Sequence, residues 1–212
     1  MKKSSLNKIL NDGFWPFYKQ NGFKKGKFRY IMLNNGYEIH CGYSIIDYGS
    51  LFPTTFGYSM SSSIIDNLFS FIFKEGLERK ILVGENSVSL YENNKYLIPE
   101  YEIKSEDDAN KMIQEVTKYM QEIALPYLNS INNFNSLDKL INDNNQEPLH
   151  GSKSLIIAKM AENPNYEVLK QKYRQLFIDK NWAVKKDIEN LETVINFLDK
   201  HTKEELDAIA KI

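Results

Sequence analysis

The chain has one cysteine, Cys41, in 212 residues, so no internal disulfide can staple the fold. A reducing, cytoplasmic setting is therefore expected. Its three histidines, His40, His150 and His201, share no metal-ligand spacing. No glycine-rich phosphate loop, GxSxG elbow, HExxH or CxxC occurs. Neither sign of charge dominates: 27 basic residues face 28 acidic ones, which argues against a general polyanion binder. Long apolar runs are also missing. The stretch from Ile64 to Phe73 contains Asp66, Asn67 and Ser70 and is far too short to cross a bilayer. The N-terminal MKKSSLNKILNDGFW has lysines but no continuous apolar core, so it reads as neither a signal peptide nor a membrane anchor.

Core material is plentiful. Hydrophobic residues make up 42% of the chain and aromatics 13%, which excludes a disordered polymer. The pattern changes near Ser105. Before it, Leu6, Ile9, Leu10, Phe14 and Phe17 predict a first helix over Ser4–Gln20, which Pro16 should kink or split. Strands are predicted over Lys27–Leu33 and Tyr37–Ile46, with Asn34-Asn35-Gly36 as a hairpin turn between them. A third strand is predicted over Thr54–Ser59, with Phe56, Tyr58 and Met60 on one face. A helix over Ile64–Lys74 follows, its face set by Ile64, Leu68, Phe71 and Ile72, with a strand as the alternative because Phe and Ile also favour strands. Short strands are then predicted at Ile81–Val83, Val88–Tyr91 and Leu97–Ile103.

After Ser105 helical periodicity is almost continuous. Ser105 and Asp108 form a capping pattern for a helix to Tyr127, with Ala109, Met112, Ile113, Val116, Met120, Ile123 and Tyr127 as its buried stripe and Pro126 bending or ending it. A short helix at Ser136–Asn142 precedes a linker at Asp143–Pro148. Helices then follow over Ser152–Glu162 and over Pro164–Lys180, the latter capped by Asn163 with Pro164 at its first position. Val184, Ile188, Leu191, Ile195 and Leu198 mark the next, and Thr202 with Glu205 boxes the last. Strands followed by helices predict an α+β fold: an antiparallel sheet of five or six strands covered by helices, then a C-terminal helical bundle. The expected division is an α+β domain over 1–147 and a helical extension over 148–212 packed on it.

Candidate chemistry is sparse. His40 alternates onto the polar face of its strand, so it cannot pair with Cys41, whose neighbours Ile39 and Tyr43 predict a buried thiol. Lys24, Lys25, Lys27 and Arg29, interleaved with Phe23, Phe28 and Tyr30, have the look of a nucleic-acid surface. Balanced charge elsewhere favours a solvated edge hairpin instead. Glu100, Glu102, Glu106, Asp107 and Asp108 are explained by an outward strand face and the first turn of a helix.

The step Gly22-Phe23-Lys24-Lys25 after a first helix, followed by an antiparallel sheet and the capped helix from Ser105 to Tyr127, resembles a group of bacterial domains of unknown function. That group is similar to the small α+β immunity-type proteins encoded beside bacterial toxins, and the resemblance covers residues 4–142. It implies a protein partner and supplies no catalytic residues. Together these readings predict a protein-binding module that is immunity- or antitoxin-like, with no cofactor and no catalytic or metal-binding set. Tyr48, Phe52 and Tyr58 are the candidate anchors, and His40 belongs to the candidate surface. For each aromatic taken singly, core filling is the simpler reading. The alternative is a metal-dependent hydrolase or nuclease whose carboxylates, for example Glu38, Glu100 and Glu102, converge only in the fold.

Overall fold

A computed structural model describes residues 1–26, 29–74, 83–86, 91–92, 95–96, 100–144, 151–180 and 185–211. The fold is α+β, and the chain divides into two compact units. The first comprises Met1–Ser61 and Ile81–Asn129, the second Ser62–Lys80 and Ser130–Ile212. The second unit thus draws on a segment that leaves the sheet and on residues before 145. The sequence-based linker and the 147/148 division fall mainly on residues 145–150, outside the described residues, as does His150.

In the first unit, α1 (Lys3–Gln20) leads to β1 (Lys24–Lys25), β2 (Arg29–Asn34), β3 (Tyr37–Ile45) and β4 (Phe52–Ser62). β5 (Val83–Asn86) follows, then a separate pair, β6 (Tyr91–Glu92) and β7 (Lys95–Tyr96), and finally β8 (Tyr101–Ile103). β1, β2, β3, β4 and β5 lie in that order, and β8 shares the β4 edge with β5, giving six strands among the described residues. The expected strands at Ile81–Val83, Val88–Tyr91 and Leu97–Ile103 lie partly outside those residues; their described parts fall in β5, β6 and β8.

The β2–β3 hairpin turns where the sequence predicts it. Asn35 and Gly36 both have positive φ, 49° and 84°, as a type I′ turn requires, and Gly36 reaches that value without a Cβ penalty. The turn sets Asn34 opposite Tyr37 and so fixes which residues share a face. Tyr30, Cys41, Phe52, Phe56 and Tyr58 are buried under α1 and α3 (Glu106–Tyr119). Phe14 of α1 lies 5.9 Å from the Tyr43 ring and 6.4 Å from Phe56, and Tyr119 of α3 lies 6.5 Å from Tyr58.

α1 is one helical span with Pro16 inside it, not two pieces. The carbonyl that Pro16 leaves without a donor belongs to Asp12, which is exposed and can use water. α3 starts on the full capping box: Ser105 accepts from Asp108 N, and Asp108 Oδ2 accepts from Ser105 N at 2.9 Å.

The expected stripe fails beyond Met120. A π-helical turn, Met120–Ala124, joins α3 to α4 (Leu125–Ser130). Pro126 cannot donate to Glu122, and its ring crowds that carbonyl. Leu125 N instead reaches back to Met120 O. The wide turn takes up one extra residue, so Ala124, Leu125 and Leu128 are buried where Ile123 and Tyr127 were expected, and Ile123 is exposed.

The second unit consists of α2 (Ser63–Phe73), α5 (Phe134–Asn144), α6 (Gly151–Met160), α7 (Tyr166–Lys180), α8 (Lys185–Leu198) and α9 (Lys203–Ile209). α2 packs on α6, α8 and α9 through Ile65 and Leu68. Phe71, expected inward, is exposed: Ser63, Asp66, Asn67 and Ser70 make one polar face of α2, and Phe71 stands beside it while Ile65 and Leu68 lie opposite. α7 begins at Tyr166, two residues after the expected Pro164, because Asn163 Oδ1 caps a turn by accepting from Asn165 N at 2.7 Å. Among the described residues, no helix is long and apolar enough to cross a membrane.

Candidate functional site

Strand alternation gives the sheet a second face, on which Arg29, Leu33 and Ser44 are exposed and the other described residues of β2, of β3 and of β4 as far as Ser59 are half-buried. The register aligns Lys24 with Ile31 and Ile31 with His40, Arg29 with Gly42, and Leu33 with Glu38. Ser44 Oγ and Thr55 Oγ1 are 2.8 Å apart and extend the same face onto β4, where Gly57 and Ser59 alternate with the buried Phe56, Tyr58 and Met60. The middle of this face carries Glu38 and His40 of β3 beside the small residues Gly42, Thr55, Gly57 and Ser59.

His40 lies within it. Its Nε2 is 3.1 Å from Glu38 Oε2, two residues along the same strand, and its side chain is 16% exposed. Cys41 points the other way into the core, as the alternation predicts. Burial holds its thiol well above the ordinary range, although the neighbouring Tyr18 hydroxyl pulls in the opposite direction. A buried neutral thiol is a poor nucleophile.

At one end of this face the β3–β4 hairpin projects. Ile46 N donates to Pro53 O, Tyr48 N to Leu51 O, Ser50 N to Tyr48 O, and Gly49 N to Asp47 Oδ1. These four bonds fix a short loop that holds Tyr48 67% exposed, with Ile46 also exposed beside it. The three aromatic candidates therefore separate. Tyr48 faces solvent, whereas Phe52 is 1% exposed and Tyr58 is likewise buried. Ile46 was not singled out in the sequence, because strand alternation alone cannot show that a terminal strand residue stays uncovered.

Among the described residues, no group of three or more His, Cys, Asp or Glu side chains could hold an ion. Glu38 stands on β3 and Glu102 on β8, with β4 between them. Glu100, Glu102, Asp108 and Glu115 instead line a groove of about 240 Å³ with Tyr101 and Lys111. There the Tyr101 hydroxyl donates to Glu115 Oε2 at 2.9 Å.

The basic step is an exposed edge. Lys24, Lys25 and Arg29 are exposed, while Phe23 and Tyr30 are buried, so those rings are not available to stack on bases. Lys27 and Phe28 lie outside the described residues. Lys25 Nζ instead sits 5.7 Å from the Trp15 ring.

The second unit holds a polar cluster that the sequence did not reveal. Asp138 accepts from Asn142 Nδ2 at 2.6 Å and from Asn163 Nδ2 at 2.5 Å, and the Tyr173 hydroxyl donates to Asn142 Oδ1 at 2.7 Å. Asn142 Nδ2 also donates to Ser154 O at 3.1 Å. Every member is paired, so the cluster locks α5, α6 and α7 together and leaves no group pointing at a ligand. No protein-family model matches the chain, and neither a curated protein nor a solved structure shows significant similarity to it.

Proposed function

We propose that this chain acts by binding another protein, in the manner of an immunity- or antitoxin-type partner, through the open sheet face and the Ile46–Tyr48 tip at its rim. The observation that carries the reading is Tyr48: a large aromatic 67% exposed on a loop held by four hydrogen bonds. An aromatic buries much area with few rotors, and a preorganised loop loses little entropy on docking. A residue serving only stability would gain from burial, and this one is kept out of the core. Gly42, Gly57 and Ser59 of the adjacent face add surface that can pack closely.

Affinity purification from the native cell tests this reading, with the retained protein identified by mass spectrometry. Tyr48→Ala and Ile46→Ser should release that protein while the melting temperature stays unchanged. Retention of no specific protein, or equal retention by these variants, counts against it.

A further inference from the structure

The strand registers bring an exposed apolar residue and exposed carboxylates onto one face at the β3–β4 hairpin end of the sheet. Ile46 N donates to Pro53 O, and Pro53 stands opposite Glu102 of β8. Paired residues of an antiparallel ladder share a face, so Ile46, Pro53 and Glu102 form a row across three strands. One row inward Ser44 meets Thr55, and the register that sets Thr54 opposite Tyr101 brings Glu100 level with Thr55. Ile46 is 49% exposed, the Glu102 side chain is 68% exposed, and Glu100 is exposed as well. From Ile46 to Glu102 is two inter-strand steps, roughly 10 Å. β8 runs antiparallel to β4 and therefore toward the hairpin tip. It leads into the first turn of α3, so the exposed Glu106 and Asp107 stand at the same end as Asp47 and Tyr48. Lys104, 3.7 Å from Glu102, offsets one of these carboxylates.

Exposed carboxylates alone need no partner but water, and a single exposed isoleucine needs no explanation. Side by side they select a group that has an apolar stem and a cationic head. We propose that this corner of the sheet receives an arginine side chain of the partner protein. Its stem lies on Ile46 and Pro53, its guanidinium reaches Glu100 and Glu102, and the partner residues beside it pack on Tyr48. Arginine suits the corner better than lysine, because its planar fork pairs with a carboxylate through two bonds, stacks on an aromatic ring and is less strongly hydrated. The carboxylates at this end draw in a basic segment and repel an acidic one. The inference rests on reading the hairpin tip as a binding surface, and it adds the chemistry of what binds there.

Amide NMR mapping on the full chain is the test. The probe is a blocked pentapeptide of alternating leucine and arginine, and the control is its citrulline counterpart, which keeps the shape and lacks the charge. The arginine peptide should shift the amides of residues 44–51 and 100–104 in a saturable way, and the citrulline peptide should not. Glu100→Gln and Glu102→Gln should each weaken the arginine peptide by roughly two- to fivefold, as loss of an exposed ion pair does. Lys104→Gln should tighten it, because Glu102 loses a competing partner. All three side chains are exposed, so unchanged melting temperatures separate these effects from misfolding. An arginine peptide that shifts nothing, or that shifts amides evenly beside exposed carboxylates elsewhere, overturns the proposal. So does equal binding of the citrulline peptide, or a Glu100→Gln/Glu102→Gln variant that binds like the wild type. If affinity purification retains a protein that Tyr48→Ala releases and Glu100→Gln/Glu102→Gln holds as firmly as the wild type, the arginine site falls and the binding role stands. A chain that retains no protein but binds the arginine peptide at this corner keeps the site and loses the immunity-type reading.

Discussion

Gly13 of α1 lies against Ile113 of α3 so closely that a Cβ placed on Gly13 would stand 2.3 Å from Ile113 Cδ1, and 3.1 Å and 3.3 Å from Cγ1 and Cγ2. A glycine inside a helix costs about 1 kcal/mol relative to alanine. Here it lets the two helices that cover the sheet approach each other. Rotation about χ2 can carry Ile113 Cδ1 away, but the χ1 stiffness of a β-branched residue keeps Cγ1 and Cγ2 close to the new methyl. Overpacking of this kind costs about 1–3 kcal/mol, which equals or exceeds the propensity gain. Gly13→Ala should therefore destabilise the protein, by up to about 2 kcal/mol. Combining it with Ile113→Ala should cost less than the two single changes added together. Chemical denaturation of the four members of the cycle measures this, and additive costs would show that the contact does not limit the packing.

The three aromatics of the β3–β4 region should respond very differently to truncation. Phe52 and Tyr58 are core residues, so Phe52→Ala and Tyr58→Ala should each cost about 3–5 kcal/mol. Tyr48→Ala removes an exposed ring and should stay within about 0.5 kcal/mol of wild type. Urea unfolding of the three variants checks this ranking. A large cost at Tyr48 would mean that the ring braces its own loop and is not held for a partner.

These contrasts mark where the sequence is legible. The β2–β3 hairpin could be read because Asn35-Gly36 demands one turn type and period-two alternation demands one register. Both capping boxes, at Ser105 and Thr202, could be read because they need only local chemistry. The phase error after Met120 had a visible cause in Pro126, but nothing local says whether a proline bends, ends or widens a helix. The reach of α2 into the helical unit was hidden for another reason: periodicity shows which face of a helix is apolar but not which elements cover it. At the candidate site, alternation placed His40 and Cys41 on opposite faces. It could not separate Tyr48 from Phe52, because exposure of a loop aromatic depends on what the fold brings over it.

Asn142 is the hub of the polar cluster in the helical unit, and its loss should outweigh that of any single partner. Asn142→Ala removes donors from Asp138 and the Ser154 carbonyl and the acceptor of the Tyr173 hydroxyl, all in a buried setting. Each of the three lost bonds is worth about 0.5–1.5 kcal/mol net, so a total of about 3 kcal/mol is expected. Tyr173→Phe removes one bond and should cost about 1 kcal/mol. Differential scanning calorimetry should therefore show a clearly larger fall in Tm for Asn142→Ala. Equal falls would mean that the cluster is not a connected network.

Alkaline pH should loosen the first unit through its buried tyrosines. Tyr43 is pushed up to about 12, chiefly by burial and further by Asp12, and Tyr37 is pushed up to about 12 by burial. Both normally titrate near 10. Below about pH 10 both states keep the phenol proton, and the stability is fully present. Above it the unfolded chain releases protons that the folded chain holds, so stability falls as pH rises through the interval to about 12. Tyr43 also donates to Asn7 O at 3.3 Å, a bond that ties α1 to the sheet and that the phenolate cannot make. Thermal melts across this interval, followed by phenolate absorbance, should show unfolding coupled to tyrosine ionisation. Tyr43→Phe should start less stable at neutral pH and lose less on the way up. A variant that follows the wild-type alkaline slope would remove Tyr43 from the groups that set it.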